Sequence, residues 1–217
     1  LSPAEIREAI RRMRAALVQA LWHCAHRTAF QKKLVDQPAM ANVLADLALE
    51  SEAATALAFR TARAFDRAPT DETEAAFARL ATPIAKFWIC KRQPAVACEA
   101  MECLGGAGYV EEGPMPRLYR QAPLNAIWEG SGNVIALDVL RALAREPASL
   151  AALRAEFAAA RRADARLDRH LARLETWFDP GILNEGTARA FVEDVALALE
   201  ACALYKTAPD FVFAGFC

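Results

Sequence analysis

The chain has 217 residues, 55% of them hydrophobic and 24% charged, which is enough apolar material for a true core and excludes a disordered chain. Twenty-six basic residues against 27 acidic ones leave a formal charge of -1, so attraction to nucleic acid or anionic lipid would need a local patch. No apolar run is long enough to cross a membrane, and no charged-then-apolar signal opens the chain, so a cytoplasmic location is expected.

The first residue is Leu1, and Ser2-Pro3-Ala4-Glu5 has the makings of a helix start, as if a longer protein had been cut just before a helix. Ile6, Ile10, Met13, Leu17, Leu21 and Cys24 recur at steps of three and four, predicting a helix over about residues 3 to 35. His23, Cys24 and His26 crowd together on it, but no second ligand group at metal-site spacing accompanies them, so no metal is expected. Pro38 opens a second helix, striped by Val43, Leu47, Ala54, Leu57 and Ala58 to about residue 66. After the break at Pro69-Thr70-Asp71, a third helix runs to about residue 104, with Pro94 expected to kink it.

Gly105-Gly106-Ala107-Gly108 ends that helix, and Pro114, Pro116 and Pro123 keep the next segment irregular. A fourth helix is expected from about 131 to 145, then two more over about 148 to 178 and 187 to 206. Hardly any alternation of strand type occurs. The fold class is therefore all-α: an antiparallel four-helix bundle over residues 1 to 145 with a helical extension over 146 to 217. The six cysteines form no C-x-x-C pair and sit mostly on apolar helix stretches, as buried thiols in a reducing compartment do.

The most unusual segment is Ile127-Trp128-Glu129-Gly130-Ser131-Gly132-Asn133, in which a carboxylate sits between a large aromatic and a glycine just ahead of a helix. One reading makes Glu129 a first-turn acid favoured by the helix dipole and Gly130 a turn residue. The other has Trp128 keep water from the carboxylate, making it basic enough to take a proton from carbon, while the glycines let a ligand approach.

Three segments together resemble the acyl-CoA dehydrogenase family. Glu102-Cys103-Leu104-Gly105-Gly106-Ala107-Gly108-Tyr109 is similar to its glycine-rich signature. Arg117-Leu118-Tyr119-Arg120 followed by Ile127-Trp128-Glu129-Gly130-Ser131 is similar to the segment holding its base, and Arg27-Thr28-Ala29-Phe30 with Leu34 and Gln37 to its first C-terminal helix motif. The resemblance covers about residues 1 to 145. It implies α,β-dehydrogenation of an acyl-CoA thioester, with Glu129 removing the α-proton and the β-hydrogen leaving as hydride to FAD. It also implies FAD contacts by Arg27, Phe30, Leu34, Gln37, Glu102, Gly105, Gly106, Ser131 and Asn133, those of Arg27 and Phe30 to a neighbouring subunit in a homo-oligomer, a dimer or tetramer. Glu102 stands where most relatives have glutamine, and Gln31 where a glycine is usual.

The wording around Glu129 and the extension most resemble the adaptive alkylation-response, isovaleryl-CoA dehydrogenase-like branch, which is associated with DNA binding and weak dehydrogenase activity. Arg162, Arg166, Arg169 and Arg173, at steps of four, three and four, would form one basic stripe on the fifth helix. Contact with double-stranded DNA is the alternative function; solvated arginines paired along their own helix are the ordinary explanation.

Overall fold

The computed structural model describes residues 4 to 217, so the expected helix start at Ser2-Pro3 lies outside the described residues. The described chain is almost wholly helical. Helix α1 (Ala4–His26) is followed by a short antiparallel hairpin, β1 (Thr28–Ala29) and β2 (Lys32–Lys33), and then by the long helices α2 (Pro38–Arg67) and α3 (Glu72–Cys103). Short helices α4 (Gly106–Tyr109) and α5 (Met115–Gln121) lead through a 3-10 turn (Ala122–Ala126) to α6 (Gly132–Arg145). The extension holds α7 (Pro147–Ala158), α8 (Ala165–Glu175), α9 (Ala188–Thr207) and α10 (Asp210–Phe216).

Helices α1, α2, α3 and α6 form the expected bundle, with α3 at its centre. From Leu80 to Cys90 every residue of α3 is buried, the pattern of a helix surrounded on all sides. Asp71 caps it, accepting from the amides of Thr73 and Glu74, and the helix runs on through Pro83 and Pro94. The extension packs into the same core: α7 lies along α3, and α9 packs on α2, α3 and α6. Glu156 of α7 fastens it, taking hydrogen bonds from Arg60 of α2 (3.1 and 3.2 Å) and from Lys206 of α9 (2.7 Å), while Arg60 also holds Glu74 of α3. Cys24, Cys90, Cys103 and Cys202 are buried, and burial pushes the last three thiols up to about 12.

Two expected helices end early. Helix α1 stops at His26 rather than near residue 35, because the chain turns into the hairpin; its tip, Phe30 and Gln31, has φ of 53° and 66°. Two successive left-handed residues are what a tight hairpin turn requires, a conformation that glycine would adopt at less cost than Gln31. The fifth helix is two helices, α7 and α8. Asp164 accepts from the amide of Arg166 and so starts α8, Asp168 accepts from the amide of Arg162, and Arg162 has φ 67°. Alanine propensity in Ala158-Ala159-Ala160 masked this break.

Candidate functional site

Glu129 lies in the turn between the 3-10 segment and α6, in a left-handed conformation with φ 54°, followed by Gly130 at φ 116°. This backbone costs a residue with a side chain about 1–2 kcal/mol, so something must hold it. Lys86 does. Its side chain, fully buried in the middle of α3, donates at 2.8 Å to the carbonyl of Trp128 and at 2.8 Å to that of Gly130. Burial pushes its ammonium pKa down, against the pull of Cys90, Glu5 and Glu129, and two short hydrogen bonds offset the desolvation.

The start of α6 is pressed onto α3 beside this clamp. A Cβ at Gly132 would stand 2.9 Å from Lys91 Cε, the far end of a side chain that can shift, and 3.3 Å from Phe87 Cε2, so the Phe87 ring is the tighter neighbour. Ser131 occupies the N-cap without bonding an α6 amide, leaving that helix start open. Asn133 is engaged by the extension: Arg189 of α9 donates to its side-chain oxygen at 3.0 Å and lies over the Phe87 ring.

Trp128 does not shield Glu129 from water as expected. Trp128 is 51% exposed and the carboxylate is exposed, so the indole by itself does not keep water away. The turn is instead bordered by open apolar surface, with Ile127 63% and Val134 60% exposed. Ile127, Trp128 and Val134 therefore leave apolar surface open before and after a single acid.

The remaining family-like residues gather at the far end of α3. Cys24 of α1 lies 3.9 Å from the Cys103 carbonyl, which brings Arg27 and the hairpin to the end where Gly105 and Gly106 lie. Arg27 is exposed, Phe30 is 93% exposed, and Gly105 (φ 58°) and Gly106 have no atom within 4 Å of where a Cβ would stand. Leu34 packs on the core, and Gln37 donates to the Ala29 carbonyl at 3.2 Å, so both brace the hairpin. Glu102 has no cation partner among the described residues; only the Cys98 thiol reaches it, at 4.0 Å. Lys86 and Cys103 are about 25 Å apart along α3 at 1.5 Å per residue, so the structure makes two clusters of the expected site residues.

The arginines of the extension are not one stripe. Arg162 lies in the α7–α8 break, off either helix. Arg166 pairs with Asp164 at 2.7 Å and donates to the Ala214 carbonyl, and Arg173 pairs with Asp194 at 2.8 Å; Arg169, also exposed, has no bonded partner among the described residues. A cavity of about 730 Å³ between α2, α3, α8, α9 and α10 is lined by Glu50, Arg92, Arg166 and His170 among others, and by none of the residues around Glu129. Sequence reasoning missed Lys86 and Arg189. A lysine within the unbroken apolar run Pro83-Ile84-Ala85-Lys86-Phe87-Trp88-Ile89 was the available signal for the first; nothing local signalled the second.

The family model for the C-terminal domain of acyl-CoA dehydrogenases matches residues 6–144. The putative acyl-CoA dehydrogenase AidB of Escherichia coli is 48% identical over 163 residues, which cover 75% of this chain and 30% of that protein. Among solved structures, that of Caenorhabditis elegans ACDH-11 in complex with C11-CoA superimposes with a TM-score of 0.83 at 22% identity, over 99% of this chain and 41% of that one. A Bacillus anthracis acyl-CoA dehydrogenase complexed with FAD gives 0.70 at 18% identity, over 94% and 40%. The last two similarities are ones of fold, and both span the extension as well as the bundle. The chain spans less than half the length of each of these relatives.

Proposed function

The chain belongs to the acyl-CoA dehydrogenase family, and we propose that it is the helical part of an FAD-dependent oxidoreductase that dehydrogenates an acyl-CoA thioester between its α- and β-carbons, with Glu129 as the base. One observation carries the reading: a carboxylate held in a left-handed turn by a buried lysine, facing outward amid exposed apolar side chains. A residue kept in a costly conformation at a binding face serves a purpose that a helix-start acid does not require.

The residues present fit a dinucleotide. The uncapped start of α6, with Ser131 beside it, favours an anionic group, and the open backbone at Gly105 and Gly106 admits close approach of a ligand. When bound, the flavin supplies the acceptor for the hydride that leaves the β-carbon. Glu129 takes the α-proton onto its carboxylate, becoming the neutral acid. Ile127, Trp128 and Val134 meet the acyl chain, and its arrival removes water from around the carboxylate. The separation of the two clusters along α3, where Lys86 and Cys103 are about 25 Å apart, suits a homo-oligomer in which Arg27 and Phe30 of one subunit meet the FAD held near Glu129 of another.

The α-proton step is separable from flavin reduction. Intact protein incubated with an acyl-CoA in deuterated water is expected to exchange the α-hydrogens, and Glu129→Gln to slow that exchange by roughly 10²–10⁴-fold. Exchange at the wild-type rate in the variant would remove Glu129 from the chemistry.

A further inference from the structure

We propose that Lys86 is a positioning residue for Glu129, acting through the two peptide carbonyls that flank it. The proposal rests on the reading of Glu129 as base. The carbonyls of Trp128 and Gly130 lie one residue before and one after the carboxylate, and the Lys86 ammonium takes both at 2.8 Å. No backbone amide among the described residues takes either of them. The bonds that do form along this stretch, from the amides of Ile127 and Trp128 to the Leu124 carbonyl and from Ile135 to that of Ser131, lie outside the turn on either side. Between them the left-handed Glu129 and Gly130 are tied to the rest of the molecule through Lys86.

The lysine is well placed for this. It projects from the most buried stretch of α3, whose neighbours Ile84, Ala85, Phe87 and Ile89 are themselves buried, so its anchor is rigid. An ammonium on a four-carbon stem offers three donors from one point, which is what two converging carbonyls need. Among the described residues, one other charged side chain acts on the Lys86 charge from a third element: Glu5 of α1, which has a buried oxygen, Oε2, without a hydrogen-bond partner. Lys86 is fully buried, and its ammonium bonds the turn's backbone, so in this account it acts on neither thioester nor proton directly. Its contribution is geometric, and a displacement of about 1 Å at a reacting group is enough to lose roughly 10²-fold in rate.

The test uses the intact flavoprotein and a panel of saturated acyl-CoA thioesters from butyryl to lauroyl. Lys86→Met is expected to slow flavin reduction at saturating thioester by about 10²-fold while KM changes little. In the same variant, hydrogen exchange followed by mass spectrometry is expected to show faster exchange in peptides spanning 126 to 133, with the amides of α3 unchanged. If Lys86→Met does not fold, Lys86→Gln takes its place. Its shorter amide cannot reach both carbonyls, and the same two effects are expected, with a rate loss of more than about tenfold. Wild-type reduction and wild-type protection of the loop in the folded variant would overturn the assignment. If Glu129→Gln reduces its flavin normally, the reading of Glu129 as base fails; loop exchange in the Lys86 variants still decides whether Lys86 holds the turn.

Discussion

At the scale of single residues, the glycines around the site separate into those that need to be glycine for space and those that do not. A Cβ on Gly108 would stand 2.3 Å from the Met101 backbone carbonyl, which cannot move without unwinding the end of α3. Gly106 has helical geometry and open space around it. Gly108→Ala is therefore expected to destabilise the protein by about 1–3 kcal/mol and Gly106→Ala to leave it nearly unchanged, as read from urea unfolding midpoints. Gly106→Ala would nonetheless weaken flavin retention if a ligand approaches its backbone. The glycine-rich segment was legible in the sequence as a helix end and a family signature. Which of its members is sterically required was not, because the contact comes from a carbonyl seven residues back.

At the scale of elements, the extension is joined to the bundle by two carboxylates with opposite pH behaviour. Burial works against the charged form of Glu156, but hydrogen bonds from Arg60 and Lys206 outweigh it and lower its pKa below 4.5. A depressed folded value gives stability that is present above the unfolded value and is lost as pH falls through the folded one. Glu200 of α9 is the reverse. Burial first, then the nearby Glu50, raises it to about 8, against the Trp88 indole, which donates to it at 2.9 Å, and Arg92. The folded protein thus holds a proton that the unfolded chain releases above about 4.5, and stability declines as pH rises from there to about 8. Unfolding midpoints across that range should fall with pH in the wild type and level out in Glu200→Gln; an unchanged slope would contradict the buried neutral acid.

The same elements show where the sequence reading stopped. The long amphipathic stripes of α1 and α2 were legible because each has one buried face. The α7–α8 break was not, since it is made by two aspartate side chains bonding backbone amides within an alanine-rich run. With Arg166 and Arg173 already committed to Asp164 and Asp194, duplex DNA affinity of the intact protein at two salt concentrations is expected to be insensitive to replacing both with alanine.

At the scale of the molecule, the bundle leaves its family-like residues in two clusters joined by the rigid rod of α3, each facing outward. In the proposed reading, other surfaces of the intact protein complete both clusters. Trp22, 64% exposed and stacked on His26 near the end of α1, and Phe30, 93% exposed at the hairpin tip, are both open large apolar side chains. Phe30→Glu in the intact protein is expected to give a smaller species by light scattering and to lower flavin occupancy together; loss of neither would argue against a cofactor shared between subunits. The bundle and its order of motifs were readable from sequence because periodicity and signature agree. The division into two clusters was not, because it depends on the length of α3 rather than on any local pattern.

The most direct test of Glu129 as the base is rapid anaerobic mixing of the intact flavoprotein with an acyl-CoA it turns over. Wild-type flavin should bleach within the mixing experiment, while Glu129→Gln, carrying the same flavin content, should remain oxidised. Bleaching of the variant at the wild-type rate would contradict the account.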